Sequence, residues 1–167
     1  MDPTWSSDGK RIAFGRQAYA ETKDIEVLDL QTHQASVLPG SQGLYSPRWS
    51  PDGRFLAAFT GDSRKLVLFD FQTQKWTDWL TQTTAFGFPA WSRDGKYLYF
   101  DTTYSHDPSY RRVKVGEAKS EEVVSLKTLR RYFSTIGFWS GLAPDGAPIF
   151  VRDTSTQEIY ALDVQLP

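Results

Sequence analysis

Apolar residues fall in short runs of strand length along the whole chain. Clusters of Gly, Asp, Pro, Ser and Thr divide them at regular intervals, and no stretch keeps a helical period for a useful length. Three kinds of run recur in a fixed order. The first kind follows an Asp-Gly pair: Arg11 to Phe14, Phe55 to Phe59, Tyr97 to Phe100 and Pro148 to Val151. The second comes after a polar connection: Ile25 to Leu30, Leu66 to Phe71, Tyr110 to Val115 and Ile159 to Val164. The third, at Ala35 to Leu38, Trp76 to Leu80 and Glu122 to Leu126, has no counterpart before Pro167. Each run predicts a β-strand, and the segment that ends just before each Asp-Gly turn predicts another.

The turns themselves are copies of one sentence. Residues 5–14 read WSSDGKRIAF, residues 49–59 WSPDGRFLAAF and residues 91–100 WSRDGKYLYF, with a worn copy, LAPDGAPIF, at 142–150. Counted from Trp5, Trp49, Trp91 and Leu142, the spacings are 44, 42 and 51 residues. The pairs Asp8-Gly9, Asp52-Gly53, Asp94-Gly95 and Asp145-Gly146 have a local purpose. Aspartate hydrogen-bonds its own backbone, glycine accepts the left-handed conformation that closes a tight hairpin, and Pro51 presets a type I φ.

Self-similarity at roughly 40–50 residues signals a propeller or a related array. The expected class is all-β, a β-propeller built of four-stranded antiparallel blades, with four repeats of which the last is incomplete. Residues 1–167 then form a single propeller or half-propeller, with blades at about 1–40, 41–82, 83–134 and 135–167. Trp-Ser-Pro-Asp-Gly followed by Lys or Arg and an apolar strand, and later the Ile25 to Thr32 run IEVLDLQT, resembles the WD40-like (PD40) repeats of TolB-like β-propellers. That resemblance implies rings of six to eight blades, so that four blades are half of an eight-bladed ring and two copies related by a two-fold axis could close it. The abrupt start at Met1-Asp2-Pro3-Thr4-Trp5 suggests a fragment of a larger bacterial propeller, and a three-stranded last blade would leave Ile159 to Val164 as an exposed edge.

Charge and composition remove several classes of function. Nineteen Lys and Arg against 20 Asp and Glu give a net charge of −1, so no nucleic-acid partner is expected. The apolar runs are far too short for a membrane span, so no membrane insertion is expected, and with no leader sequence to read, the compartment stays open. There are no cysteines, which excludes disulfides and Cys-type zinc sites. His33 and His106 are the only histidines, neither in a His-x-His, His-Glu or triad context, and neither a Gly-x-Ser-x-Gly elbow nor a Gly-rich phosphate loop occurs. The four turn aspartates sit at equivalent tips of separate blades, too far apart to share an ion. No metal, cofactor or catalytic residue is therefore expected, and the chain reads as a non-enzyme. Trp5, Trp49 and Trp91 hold the core position of the repeat and are assigned to packing, while Trp76 and Trp79 are assigned to covering a blade edge.

What is left is where the repeat is broken. The third unit is enlarged at 102–110 (TTYSHDPSY) and at 127–138 (KTLRRYFSTIGF), and the connections into each motif are aromatic. Tyr45, Phe86, Phe88, Arg130, Arg131, Tyr132, Phe138 and Trp139 are the interface candidates, since exposed aromatics and Arg are favoured anchors. In propellers such connections gather on one face around the central channel. The functional expectation is a non-catalytic scaffold for protein–protein interaction or sensing, whose partner is another protein or a second copy forming a homodimer. The alternative is the propeller portion of an enzyme of serine peptidase or polysaccharide lyase type, with catalytic residues outside this chain.

Overall fold

The computed structural model describes residues 2–15, 24–102, 105–135, 137–156 and 158. These form 14 strands and, among the described residues, no helix. The first sheet is β1 (Thr4–Trp5), β2 (Arg11–Gly15), β3 (Ile25–Asp29) and β4 (Gln34–Val37). The second is β5 (Leu44–Trp49), β6 (Phe55–Thr60), β7 (Lys65–Asp70) and β8 (Lys75–Thr81), and the third is β9 (Gly87–Trp91), β10 (Tyr97–Asp101), β11 (Ser109–Lys114) and β12 (Ser120–Ser125). Each is an antiparallel meander in chain order. The fourth repeat contributes a pair, β13 (Ser140–Leu142) with β14 (Pro148–Phe150). The run Ile159 to Val164 lies outside the described residues. β1 touches β5, β5 touches β9 and β9 touches β13, so the first strand of each repeat is the innermost and the sheets stand around a common axis as propeller blades do.

The repeated turn is braced in the same way three times. Ser6, Ser50 and Ser92 donate to Asp8, Asp52 and Asp94 at 2.6, 2.5 and 2.7 Å. The same carboxylate oxygens accept the amides of Lys10, Arg54 and Lys96. Each serine oxygen also accepts the amide five residues on, at Arg11, Phe55 and Tyr97. Gly9, Gly53, Gly95 and Gly146 have φ of 69°, 74°, 68° and 87°, the left-handed region in which a Cβ is costly. In the fourth copy Ala143 replaces the serine, and the turn closes one residue sooner: Ala143 bonds to Ala147, where Ser50 bonds to Phe55. Leu142 consequently pairs with Pro148, whereas Trp49 pairs with Leu56, and the strand after the turn is shifted by one position.

Hydrogen bonds from Ser6 and Ser92, followed by those from the backbone of Lys10 and Lys96, hold Asp8 and Asp94 below the usual carboxylate value of 3.8. A carboxylate whose folded value is depressed adds stability above its unfolded value and loses it as pH falls through the folded one. The urea midpoint is therefore expected to fall as pH drops below about 4, and Asp94→Asn is expected to flatten that limb, read by denaturant titrations at stepped pH.

Cores lie between sheets rather than within them. Residues paired across a sheet share a face, so Trp49, Leu56, Phe69 and Trp76 turn together toward the first sheet, where they meet Ala13, Ile25, Val27 and Leu38. Ala57, Phe59, Leu66 and Leu68 face the other way and pack on Leu98, Phe100 and Val113 of the third sheet. Tyr99 and Tyr110 then meet Leu142 and Phe150 of the fourth repeat. Trp76 and Trp79, an odd number of positions apart, serve opposite junctions. The Trp76 indole donates to Pro39 O at 2.9 Å, and Trp79 stacks on Trp91 at 5.8 Å while donating to Glu117 O at 2.9 Å. Trp79 thus plugs the joint between the second and third sheets instead of covering an outer edge. Trp5 departs from the packing expectation: it is 60% exposed where Trp49 is 5%, because among the described residues no sheet packs on that side of the first one.

Candidate functional site

In every sheet the Asp-Gly hairpin sits at one end of the innermost strand, and the connector arriving from the previous sheet sits at the other. The connectors therefore gather on the face opposite the Asp-Gly turns, and the candidate residues come from them and from the starts of the strands they feed. β5 and β9 enter through matched irregularities, Ser46-Pro47 and Phe88-Pro89, where the ladder shifts register. Ser46 and Phe88 have φ of 54° and 46°, unusual for residues with a Cβ. Such bulges re-aim side chains at the rim of the ring.

The candidates separate by environment. Tyr45 is half-buried, edge-on to Phe59 at 6.0 Å, and its hydroxyl shares a hydrogen bond with Ser63; burial pushes its pKa up. Phe86 is buried, stacked on Phe59 at 5.3 Å and edge-on to Phe100 at 4.8 Å, so it is a core residue joining the second and third sheets. Phe88 is half-buried at its bulge. Arg131 is 5% exposed in its side chain and forms an ion pair with the fully buried Asp101 at 3.1 Å. Its Nη2 also donates to Phe138 O at 2.7 Å and to Trp139 O at 3.1 Å, and Ser140 Oγ donates to the same Asp101 oxygen at 2.7 Å. A Cβ on Gly87 would come within 2.5 Å of Asp101 Oδ1, so glycine is what admits the carboxylate. Arg131 is accordingly a clamp between the third sheet and the fourth repeat.

Two candidates, Tyr132 and Phe138, come together at the surface with Phe133, a residue that was not among the candidates. Tyr132, Phe133 and Trp139 are exposed, and Phe138 lies edge-on to Phe133 at 5.0 Å with the Arg131 guanidinium over its ring. Tyr132 is tied down through its amide, which donates to Val151 O at 3.0 Å, and the pairing of Arg131 with Arg152 sets the two segments side by side. Between them is a cleft of about 660 Å³ lined by Tyr132, Phe133, Phe138, Arg152 and Asp153. Arg130 pairs with Asp153 of the cleft wall at 3.1 Å, and hydrogen bonds from Ser155, followed by the Arg130 charge, keep that carboxyl below its ordinary value. An open, aromatic-walled cleft with arginines at its rim suits an extended chain carrying apolar or aromatic side chains and scattered negative charge. Among the described residues, no three His, Asp or Glu side chains group in a way that could hold a metal ion.

One residue that sequence reasoning passed over stitches the inner strands. Arg48 bonds both carboxylate oxygens of Asp2 at 2.8 and 2.9 Å on one side and donates to Pro89 O at 2.9 Å on the other, while its own carbonyl accepts the Trp91 indole at 2.9 Å. Three successive repeats meet on it. Only the recurrent x-Pro-x-Trp spacing at Pro3, Pro47 and Pro89 pointed to that ring of contacts.

No protein-family model matches the chain. In sequence it is 28% identical over 140 residues to the uncharacterised peptidase YuxL of Bacillus subtilis, a stretch covering 77% of this chain and 21% of that protein. In structure it is similar to TolB of Acinetobacter baumannii, with a TM-score of 0.66, 21% identity, and coverage of 93% of this chain and 38% of the other. The putative TolB of Agrobacterium tumefaciens gives a TM-score of 0.68 at 20% identity, covering 89% and 52%. An oligogalacturonate lyase in complex with manganese gives 0.57 at 20%, covering 73% and 38%. The chain spans only 21% to 52% of the lengths of these proteins. The expectation of a non-enzyme is corrected by the sequence match to a protein named as a peptidase, with a lyase sharing the fold. Its repeats, its meander sheets around one axis and these likenesses agree on one description: the chain has the fold of a TolB-like β-propeller.

Proposed function

We propose that this chain is the propeller portion of a larger peptidase, and that its connector face receives the polypeptide substrate. The observation that carries this reading is the match to the Bacillus subtilis peptidase, which extends over 77% of the chain. The lyase is alike in fold alone. The cleft adds support, because Tyr132, Phe133 and Phe138 offer rings to side chains of an extended peptide while Arg152 offers a cation to its carboxylates. In this reading the groups that break the bond lie in a part of the protein beyond the propeller.

The test is to express the whole reading frame to which this chain belongs and assay it on a panel of chromogenic peptides beside the 167-residue chain. The expected result is hydrolysis by the full product, none by the chain alone, and a raised KM with unchanged kcat for Phe133→Ala in the full product. A reading frame that encodes no hydrolase segment, or a full product inert on every peptide, overturns the proposal.

A further inference from the structure

The two ends of this row of sheets carry complementary faces: the first is open at Trp5 and Val37, and the last, where the Trp139 ring lies over Gly141, is open at Ile149 and Val151. In the second and third sheets, the face that looks back toward the preceding sheet is set by the motif tryptophan and its cross-strand partners. It includes Trp49, Leu56 and Phe69 in one, and Trp91, Leu98 and Val113 in the other. The equivalent residues of the first sheet are Trp5, Ile12 and Leu28, joined on the same face by Phe14 and Val37. Trp49 is packed against the first sheet, whereas Trp5 is 60% exposed and Val37 is also open.

The opposite end shows the other half of the joint. The shortened turn of the fourth repeat shifts its strand by one residue, so Phe150 takes the backward-facing position and packs edge-on to Tyr110 at 5.4 Å. Ile149 and Val151 therefore occupy the forward-facing positions that Ala57 and Phe59 hold in the second sheet. Those two are buried against the third sheet, while Ile149 and Val151 are 41% and 40% exposed. Among the described residues, the row thus begins with a backward face open at Trp5 and Val37 and ends with a forward face open at Ile149 and Val151.

We propose that a second copy of this chain occupies both faces, with the Trp5 face of each copy seated on the Ile149 and Val151 face of the other, so that two copies close a ring through two identical junctions. The occupant is argued from continuity: the same face-to-face joint is built between the first and second sheets and between the second and third, with matching residues at matching positions. A heterologous contact of this kind either closes or propagates, and four repeats per copy under a two-fold axis let it close. The proposal goes beyond the peptidase reading, and its test reads mass where the test of that reading reads hydrolysis, so that the failure of one is distinguishable from the failure of the other.

The test is the solution mass of the 167-residue chain by size exclusion with light scattering over a hundredfold range of concentration. The expected mass is twice 19.0 kDa. Trp5→Asp and Val151→Asp, both at exposed positions and checked for unchanged circular dichroism, are each expected to return the chain to a single copy. Mixing the two variants is expected to restore a two-copy species, because one junction of the mixed pair is then free of substitutions. A monomer at every concentration, a dimer that neither variant disturbs, or a ladder of larger masses overturns the proposal.

Discussion

Asp101→Ala is expected to lower the stability of the chain by about 3–5 kcal/mol, the range for removing one partner of a buried ion pair. The reason is what it leaves behind. Arg131 is held between the rings of Phe138 at 5.3 Å and Phe150 at 5.7 Å, and its guanidinium lies almost wholly out of solvent. Without the carboxylate that charge is stranded, and Ser140 loses its acceptor. The alternative with both partners replaced, Asp101→Leu with Arg131→Met, keeps volume while removing both charges and is expected to recover most of the loss. Urea denaturation followed by tryptophan fluorescence measures both. If the double variant is no better than Asp101→Ala, the pair is not the clamp described. Hydrogen exchange should place the weakened region at the junction of β10 with β13.

Phe86→Ala is the second large effect, with an expected cost of about 3–5 kcal/mol for truncating a buried phenylalanine. Phe59, Phe86 and Phe100 form a continuous aromatic column from the second sheet into the third, with Phe86 in the middle of it. Alanine there opens a cavity that neither flanking sheet can close without shifting its own strands. Phe133→Ala, at an exposed ring on the same face of the molecule, is expected to change the denaturation midpoint by far less. The pair of variants separates two roles, joint and surface, that aromatic composition alone does not distinguish. Equal costs for both would show that the exposed ring is structural after all.

How much of this could be read in advance varies by element. The turn sentence is strictly local chemistry, with serine, aspartate and glycine satisfying one another within five residues, so its hairpins and the strands on either side were legible. Arg131 and Phe86 were not. Both stand in connectors with the composition of a binding surface, and no local pattern distinguishes a phenylalanine facing solvent from one inserted between two sheets. Their burial depends on Asp101 and on Phe59 and Phe100, which lie 14 to 30 residues away and are brought near only when the sheets stack. The shortened fourth turn is similar. Its Asp-Gly pair is intact in the letters, yet the missing serine brace lets the hairpin close one residue early and exchanges the two faces of the strand that follows.

The repeat, the hairpins, the strand order and hence the propeller class could be read from the letters, because all four rest on contacts between near neighbours and on a side-chain period of two. Which aromatic and charged residues are joints and which are surface was settled by how the sheets stack. A residue's face is fixed by register, but whether that face is covered depends on what stands beside it. For Trp49 that is the first sheet; for Trp5, among the described residues, it is nothing.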